Sequence, residues 1–277
     1  MMKRWIAGLT VLALLFALCG CELIPGRSRE TTSAPTLTET TETTQTMPET
    51  QVTENATEEE LEEISAYVTE AVHETLPMDD STFTFVIPMI VCDSDGIAEI
   101  NNEIYELYYN KVYTENVVEA VNEYGLPGLC EINYMWGKCG DYLSLVVYFS
   151  PYASSGTEFD VWNIDLREGK RVEDEKIVEI FDYDMDSFYV RAGDVMGSYC
   201  FDTTYSFVPE EMLNEFYRAL TNTIVIYNVH KAQPYIGEDG MLWMIAQIGS
   251  IAGADYYAQP IPFETYPVSQ EYLDYIS

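Results

Sequence analysis

Apolar and polar positions alternate most densely between Asp141 and Arg171, in DYLSLVVYFSPYASSGTEFDVWNIDLREGKR. Two runs there, Tyr142–Phe149 and Phe159–Leu166, combine β-branched and aromatic residues at period two, so the pattern predicts two strands. A small polar segment, Ser150–Glu158, joins them, and Arg167-Glu168-Gly169-Lys170 makes a tight turn after the second. Upstream, Cys130–Trp136 reads as a strand turning at Gly137–Gly140 into the first of the pair. Earlier still, Thr82–Val91 sets Phe83, Phe85, Ile87 and Met89 on one face, and Pro88 marks an edge strand or a bulge. Between these strands, Ile97, Ile100, Ile104, Leu107 and Tyr108 recur at helical spacing, and that helix continues or restarts as far as Tyr124. Gly125-Leu126-Pro127-Gly128 stops it.

The same procedure predicts a helix from 58 to 76. Thr57-Glu58-Glu59-Glu60 has the form of a capping box, Leu61, Ile64, Val68, Ala71, Val72 and Leu76 follow at helical spacing, and Pro77 ends the run. Downstream come a short amphipathic segment at Asp174–Phe181, a helix over Asp182–Tyr205, and a helix beginning at Pro209 with Leu213, Phe216, Tyr217, Leu220 and Ile224 inward. Tyr235-Ile236, the turn Gly237-Glu238-Asp239-Gly240 and Met241–Gly249 form a hairpin, because glycine supplies the positive φ such turns need. Tyr256–Ile261 is a last strand. The order of elements predicts an α+β fold, a mainly antiparallel sheet with helices packed on one face. A division of 58–277 into subdomains at about 81–181 and 182–277 stays open.

Two regions stand outside that pattern. Lys3 and Arg4 precede an apolar run, Trp5–Leu18, too short to span a bilayer comfortably but of the length of a signal-peptide core. Leu18-Cys19-Gly20-Cys21 then places a small residue directly before a cysteine, so residues 1–20 read as a lipoprotein signal peptide and Cys21 as the lipid-bearing residue. This predicts a chain held at the outer leaflet of a bacterial cell membrane by acyl groups. From 21 to 57 the chain is a Thr-, Glu- and Pro-rich linker: Glu30–Thr57 has no aromatic residue, and no Lys or Arg occurs between Arg29 and Lys111. Such a stretch cannot offset its chain entropy by burial and repels itself, which predicts a disordered spacer reaching from about 30 Å as a coil to roughly 100 Å when stretched.

Charge and chemistry narrow the function classes. With 13 basic and 47 acidic residues the net charge is -34, which argues against nucleic acid and admits cationic ligands. Asp182-Tyr183-Asp184-Met185-Asp186 begins like a calcium loop, but Ser187 stands where the loop needs glycine and Gly193 where it needs glutamate. His73 and His230, far apart, give no zinc set, and Ser154-Ser155-Gly156 lacks a nucleophile elbow. No metal, cofactor or catalytic residue is assigned. Cys92, Cys130, Cys139 and Cys200 leave two readings open: disulfides, with Cys130 and Cys139 flanking a hairpin turn and Cys92 and Cys200 remaining, or four free thiols.

Several short stretches occur in an order that resembles a known extracellular module. They are Ile87-Pro88, Glu99-Ile100-Asn101, Ile104-Tyr105, Leu143–Val147, Trp162–Leu166 with Gly169-Lys170, Glu238-Asp239-Gly240, and Ala252–Tyr257. Spanning about residues 83–261, they resemble the ectodomain of RsiV-type anti-sigma factors, a module that also accompanies PdaC-type peptidoglycan deacetylases. The resemblance implies an α+β surface domain, and in RsiV-type receptors this module binds lysozyme, a basic protein. Neither sigma sequestration nor deacetylation carries over, since no cytoplasmic sigma-binding segment and no histidine-bearing deacetylase domain is read here. Ala153-Ser154-Ser155-Gly156 also replaces the family's Gly-Gly-Ala-His-type loop. The expectation is a non-catalytic surface lipoprotein binding a cationic protein such as lysozyme, or a peptidoglycan fragment, with Ser154, Ser155, Gly156, Trp162 and Asp165 as candidate ligand-binding residues. The alternatives are a wall-modifying hydrolase with carboxylates near Trp162–Asp165 as acid and base, and a structural subunit of an envelope complex.

Overall fold

The computed structural model describes residues 67–78, 81–152, 156–251 and 256–277. The leader, Cys21, the linker, the first part of the helix expected from 58, and Ser154 and Ser155 lie outside the described residues. All described residues fall within one compact unit, Thr53–Ser277.

Strands β1 (Val68–Met78) and β2 (Ser81–Ile90) form an antiparallel hairpin. The helix expected up to Leu76 is therefore a strand from Val68 onward. Val68, Val72 and Leu76 are four apart, a spacing in phase with both a helical turn and a strand's period of two, and pairing with β2 decides between them. A bulge between Glu70 and Val72 sits opposite Pro88, where the proline's missing N–H is tolerated. Past the bulge the alternation in β2 slips: Ile90 is buried and Met89 is exposed, not inward with Phe85 and Ile87.

Helix α1 connects β2 to β3 (Leu129–Cys139). It runs as an α-helix over Asp95–Tyr105, winds as a π-helix over Glu106–Glu119, and returns to α over Ala120–Tyr124. Buried Ile97, Ile100 and Ile104 step by three or four. Tyr108, Val112 or Tyr113, and Val117 then step by four or five, which suits i→i+5 bonding better than a 3.6 period. Gly125 at φ 75 closes the helix. The crossover makes β2 and β3 parallel over Thr84↔Glu131 and Phe85↔Ile132. Beyond that short pairing the carboxamide of Asn101 on α1 covers the edge of β2. It accepts from the Ile90 N–H and donates to the Ile90 carbonyl, both at 2.8 Å.

β4 (Tyr142–Pro151), β5 (Glu158–Asp165) and the short β6 (Lys170–Arg171) complete a six-stranded sheet in the order β1-β2-β3-β4-β5-β6. Its α1 face buries Ile132, Leu143, Leu145, Val147, Trp162 and Ile164. The chain then gives α2 (Asp174–Glu179), α3 (Met185–Thr204), α4 (Leu213–Ile224) and α5 (Ile226–Val229). A second, antiparallel sheet follows, β7 (Gln233–Ile236), β8 (Leu242–Gly249) and β9 (Tyr256–Pro262), and then α6 (Gln270–Ile276). The sequence pattern did not indicate α6. Leu242, Met244, Ala246 and Ile248 of β8 pack on Phe188, Val195, Met196 and Phe216 of the helices. The fold is α+β, built on two sheets where a single one was expected.

The sheets meet through their remaining faces. Val146, Tyr235 and Ile245 form a small buried cluster, flanked by Met135, Phe159, Val161, Trp243 and Ala258. Beside it a row of partners crosses three strands, Gly137↔Ser144↔Asn163. At Gly137 a β-carbon would lie 1.9 Å from the Gly237 carbonyl oxygen, so only glycine lets this backbone approach. Ser144 and Asn163, 0% and 3% exposed, hold β7 by its main chain. The Ile236 N–H donates to Ser144 Oγ at 2.8 Å, Ser144 Oγ donates to Asn163 Oδ1 at 2.6 Å, and Asn163 Nδ2 donates to the Pro234 carbonyl at 3.0 Å. Asn163 Nδ2 also reaches Asp174 Oδ1 at 3.2 Å.

Removing either side chain strands buried polar groups. Ser144→Ala and Asn163→Ala are each expected to cost about 2–3 kcal/mol in chemical denaturation, and the double variant to lose less than the sum. Strictly additive losses would show that the two side chains act independently.

Burial raises the Asp174 carboxyl above its ordinary value, and the hydrogen bond from Asn163 only partly opposes it. A raised folded value means that the charged form costs stability at neutral pH, and that this cost disappears as pH falls through the folded value towards the unfolded one. Asp174→Asn keeps an acceptor for Asn163, so it should raise the midpoint of thermal unfolding at pH 7. The gain should fade below about pH 4, near the unfolded carboxyl value; a gain constant with pH would exclude the carboxyl as its source.

Candidate functional site

Trp162 and Asp165 are three residues apart on β5, so strand periodicity sends them to opposite faces of the sheet. Both are interior, 5% and 3% exposed. Trp162 Nε1–H donates to the Tyr108 hydroxyl at 2.8 Å, that hydroxyl donates to Asp160 Oδ2 at 3.0 Å, and the Arg171 guanidinium stands 4.3 Å above the indole. Burial pushes the Tyr108 phenol far up, and the Asp160 charge pushes the same way. Asp165 Oδ1 accepts the Glu168 N–H at 2.9 Å and ties down the turn that Gly169 makes at φ 62. Both side chains are thus engaged within the fold, on opposite faces of the sheet. Gly156 is placed elsewhere, at a cavity between the start of β5 and the second sheet.

Other candidates resolve into structural roles. Asp184 caps α3 in a capping box with Ser187, while Asp182 takes φ 61 just ahead of it, so the alternating acids form a helix start. No group of three His, Cys, Asp or Glu able to hold a metal ion occurs among the described residues. His73 Nδ1 lies 2.9 Å from Glu70 Oε2 on exposed β1, and His230 lies against the Tyr189 ring at 4.3 Å. Cys92, Cys130, Cys139 and Cys200 are free thiols. Cys130 and Cys139 sit at the two ends of β3, about 30 Å apart along the strand, and so cannot bridge.

The arrangement with recognisable binding chemistry lies where β3 meets the β7–β8 turn. Met135, Trp136, Tyr235, Gly237, Glu238, Asp239 and Trp243 enclose a cleft of about 320 Å³. Gly237 belongs there because a β-carbon would fall 2.3 Å from Trp243 Cδ1, so the indole lies directly over the turn. Trp243 Nε1–H donates to both Asp239 oxygens, at 3.0 and 3.2 Å, and the Met241 N–H donates to Asp239 Oδ1 at 3.0 Å. These bonds fix the carboxylate against the aromatic wall. Burial raises the Tyr235 phenol, and the charges of Asp239 and Glu238 raise it further; Glu238 contributes in the same sense at Tyr148, after burial and Glu131. Neither carboxylate makes an ion pair among the described residues. Trp136, next to Met135 on β3, turns its ring to the α1 face instead, where it meets Tyr67 at 6.4 Å with Lys138 Nζ 4.7 Å over the Tyr67 ring. An aromatic face beside a fixed carboxylate, with a second acid next to it, suits a cationic side chain. The sequence marked Gly237–Gly240 only as a turn. Its one available signal was the acid pair Glu238-Asp239 close to Trp243, and nothing local says that Met135 would join them.

No model of a known family and no curated protein matches this chain.

Placing Asp165 at the turn generates a test. Asp165→Ala should cost about 1–2 kcal/mol in chemical denaturation, and Asp165→Asn, which keeps an acceptor for Glu168, much less. Equal losses would show that the turn contact is not what Asp165 supplies.

Proposed function

We propose that this chain is a surface-displayed, lipid-anchored protein whose α+β domain binds a cationic protein, lysozyme being the concrete case. The observation that carries the reading is the cleft walled by the Trp243 indole, with Asp239 held in place against that ring and Glu238 next to it in the turn. A Lys or Arg side chain of the partner would lie against the Trp243 ring and meet both carboxylates. The charge of -34 supports it, since a negative field steers a basic partner towards the surface. The resemblance to the RsiV-type ectodomain supports the same partner class, and lipidation at Cys21 with the acidic linker would hold the domain clear of the membrane.

The test uses the full chain in detergent micelles passed over immobilised lysozyme. Retention is expected at low salt and should weaken as ionic strength rises. Trp243→Ala should weaken binding about tenfold or more, and Glu238→Gln with Asp239→Asn should chiefly slow association and flatten the salt dependence. Absence of retention at low salt, or retention indifferent to all three substitutions, would overturn the proposal.

A further inference from the structure

The interface between the sheets opens again at its other end, and there the chemistry differs. Gln233 on β7 and Gln247 on β8 share the face of the second sheet that carries Ile245 into the small intersheet cluster. Opposite them stand Thr157 and Phe159 at the start of β5, around a cavity of about 350 Å³. That is the size at which small-molecule sites begin. Among the described residues the lining holds one cation, Lys231, and one anion, Glu158, in a chain whose net charge is -34. The charges on the described lining are thus balanced.

The remaining lining supplies neutral hydrogen-bonding groups and rings. The side-chain amides of Gln233 and Gln247 have no hydrogen-bond partner among the described residues, and each offers both a donor and an acceptor. Thr157 Oγ1 is held 3.2 Å from Ser150 Oγ. Phe159, paired with Tyr148 at 5.8 Å, and Tyr256, 40% exposed, present apolar faces. A complementary ligand is uncharged, carries hydroxyl and amide groups around its edge, and has one apolar face. We propose that this cavity binds an N-acetylated aminosugar, the glutamine amides pairing with its acetamido and hydroxyl groups and an aromatic ring covering its apolar face. The site is separate from the cleft proposed for the cationic protein, so each can fail without the other.

Saturation-transfer NMR on the full chain in micelles, with N,N′-diacetylchitobiose as probe and cellobiose as the matched sugar without acetamido groups, tests this. Transfer is expected to diacetylchitobiose and, much more weakly, to cellobiose. Gln247→Ala should weaken the interaction about tenfold, the value of one or two lost hydrogen bonds, while lysozyme retention stays as in the parent. Tyr256→Ala, at the exposed end of β9, should weaken it too and guards against a folding defect in the first variant. No transfer to either sugar, equal transfer to both, or transfer unchanged in both variants would overturn the proposal.

Discussion

Ser144 and Asn163 make the one contact on which the arrangement of the two sheets depends. Each sheet has helices on one face, and the other two faces share only a small apolar cluster centred on Val146, Tyr235 and Ile245. Such a cluster favours contact without fixing register, because apolar surfaces slide. The Ser144 hydroxyl and the Asn163 carboxamide bind the Ile236 N–H and the Pro234 carbonyl, so β7 can lie in one position only. The net value of each bond is modest, about 0.5–1.5 kcal/mol, but a buried donor or acceptor left unpaired costs more. The network therefore specifies more than it stabilises. Gly137 completes it by allowing the two backbones to touch.

Both cavities follow from that register. With β7 pinned across the row from Gly137 to Asn163, the turn after β7 falls beside Met135 and Trp136. Trp243, opposite Tyr235 in the ladder, then folds back over Gly237. At the other end Gln233 and Gln247 line a cavity together with Thr157 and Phe159. The ends differ in chemistry because the turn concentrates acids whereas the opposite end of the interface carries amides.

Local signals accounted for much of the fold. The strands around Tyr142 and Phe159, the hairpin at Gly237–Gly240 and the helix stop at Gly125 were readable because alternation and glycine φ are properties of a few adjacent residues. β1 was not, since Val68, Val72 and Leu76 satisfy two periods at once and only the partner strand distinguishes them. The site was least legible. Trp162 stood out by residue type, yet its indole is spent on Tyr108 and Arg171. Met135 looked like an ordinary strand residue, and its place in the cleft depends on a turn about a hundred residues later in the chain. Residue type marks what a side chain can do, and only the assembled register decides what it faces.

The acidity of the chain acquires meaning through the same register. The ion pairs among the described residues are exposed ones, Glu70 with His73, Glu168 with Arg167 and Lys170, and Glu179 with Lys176, and pairs of this kind are worth little in water. Most carboxylates are therefore solvated, and salt screens them over about 8–10 Å. At the Trp243 cleft the surroundings differ: Met135, Tyr235 and the Trp243 indole displace water, and the charges of Glu238 and Asp239 are felt at the Tyr235 phenol. Asp239 is held by the Trp243 indole and the Met241 N–H before any ligand arrives. A cation entering there meets an acceptor already ordered, so less of the binding free energy is lost to immobilising it. Long-range attraction can come from the whole acidic surface, but a specific grip needs carboxylates fixed beside apolar walls, and the turn after β7 supplies both.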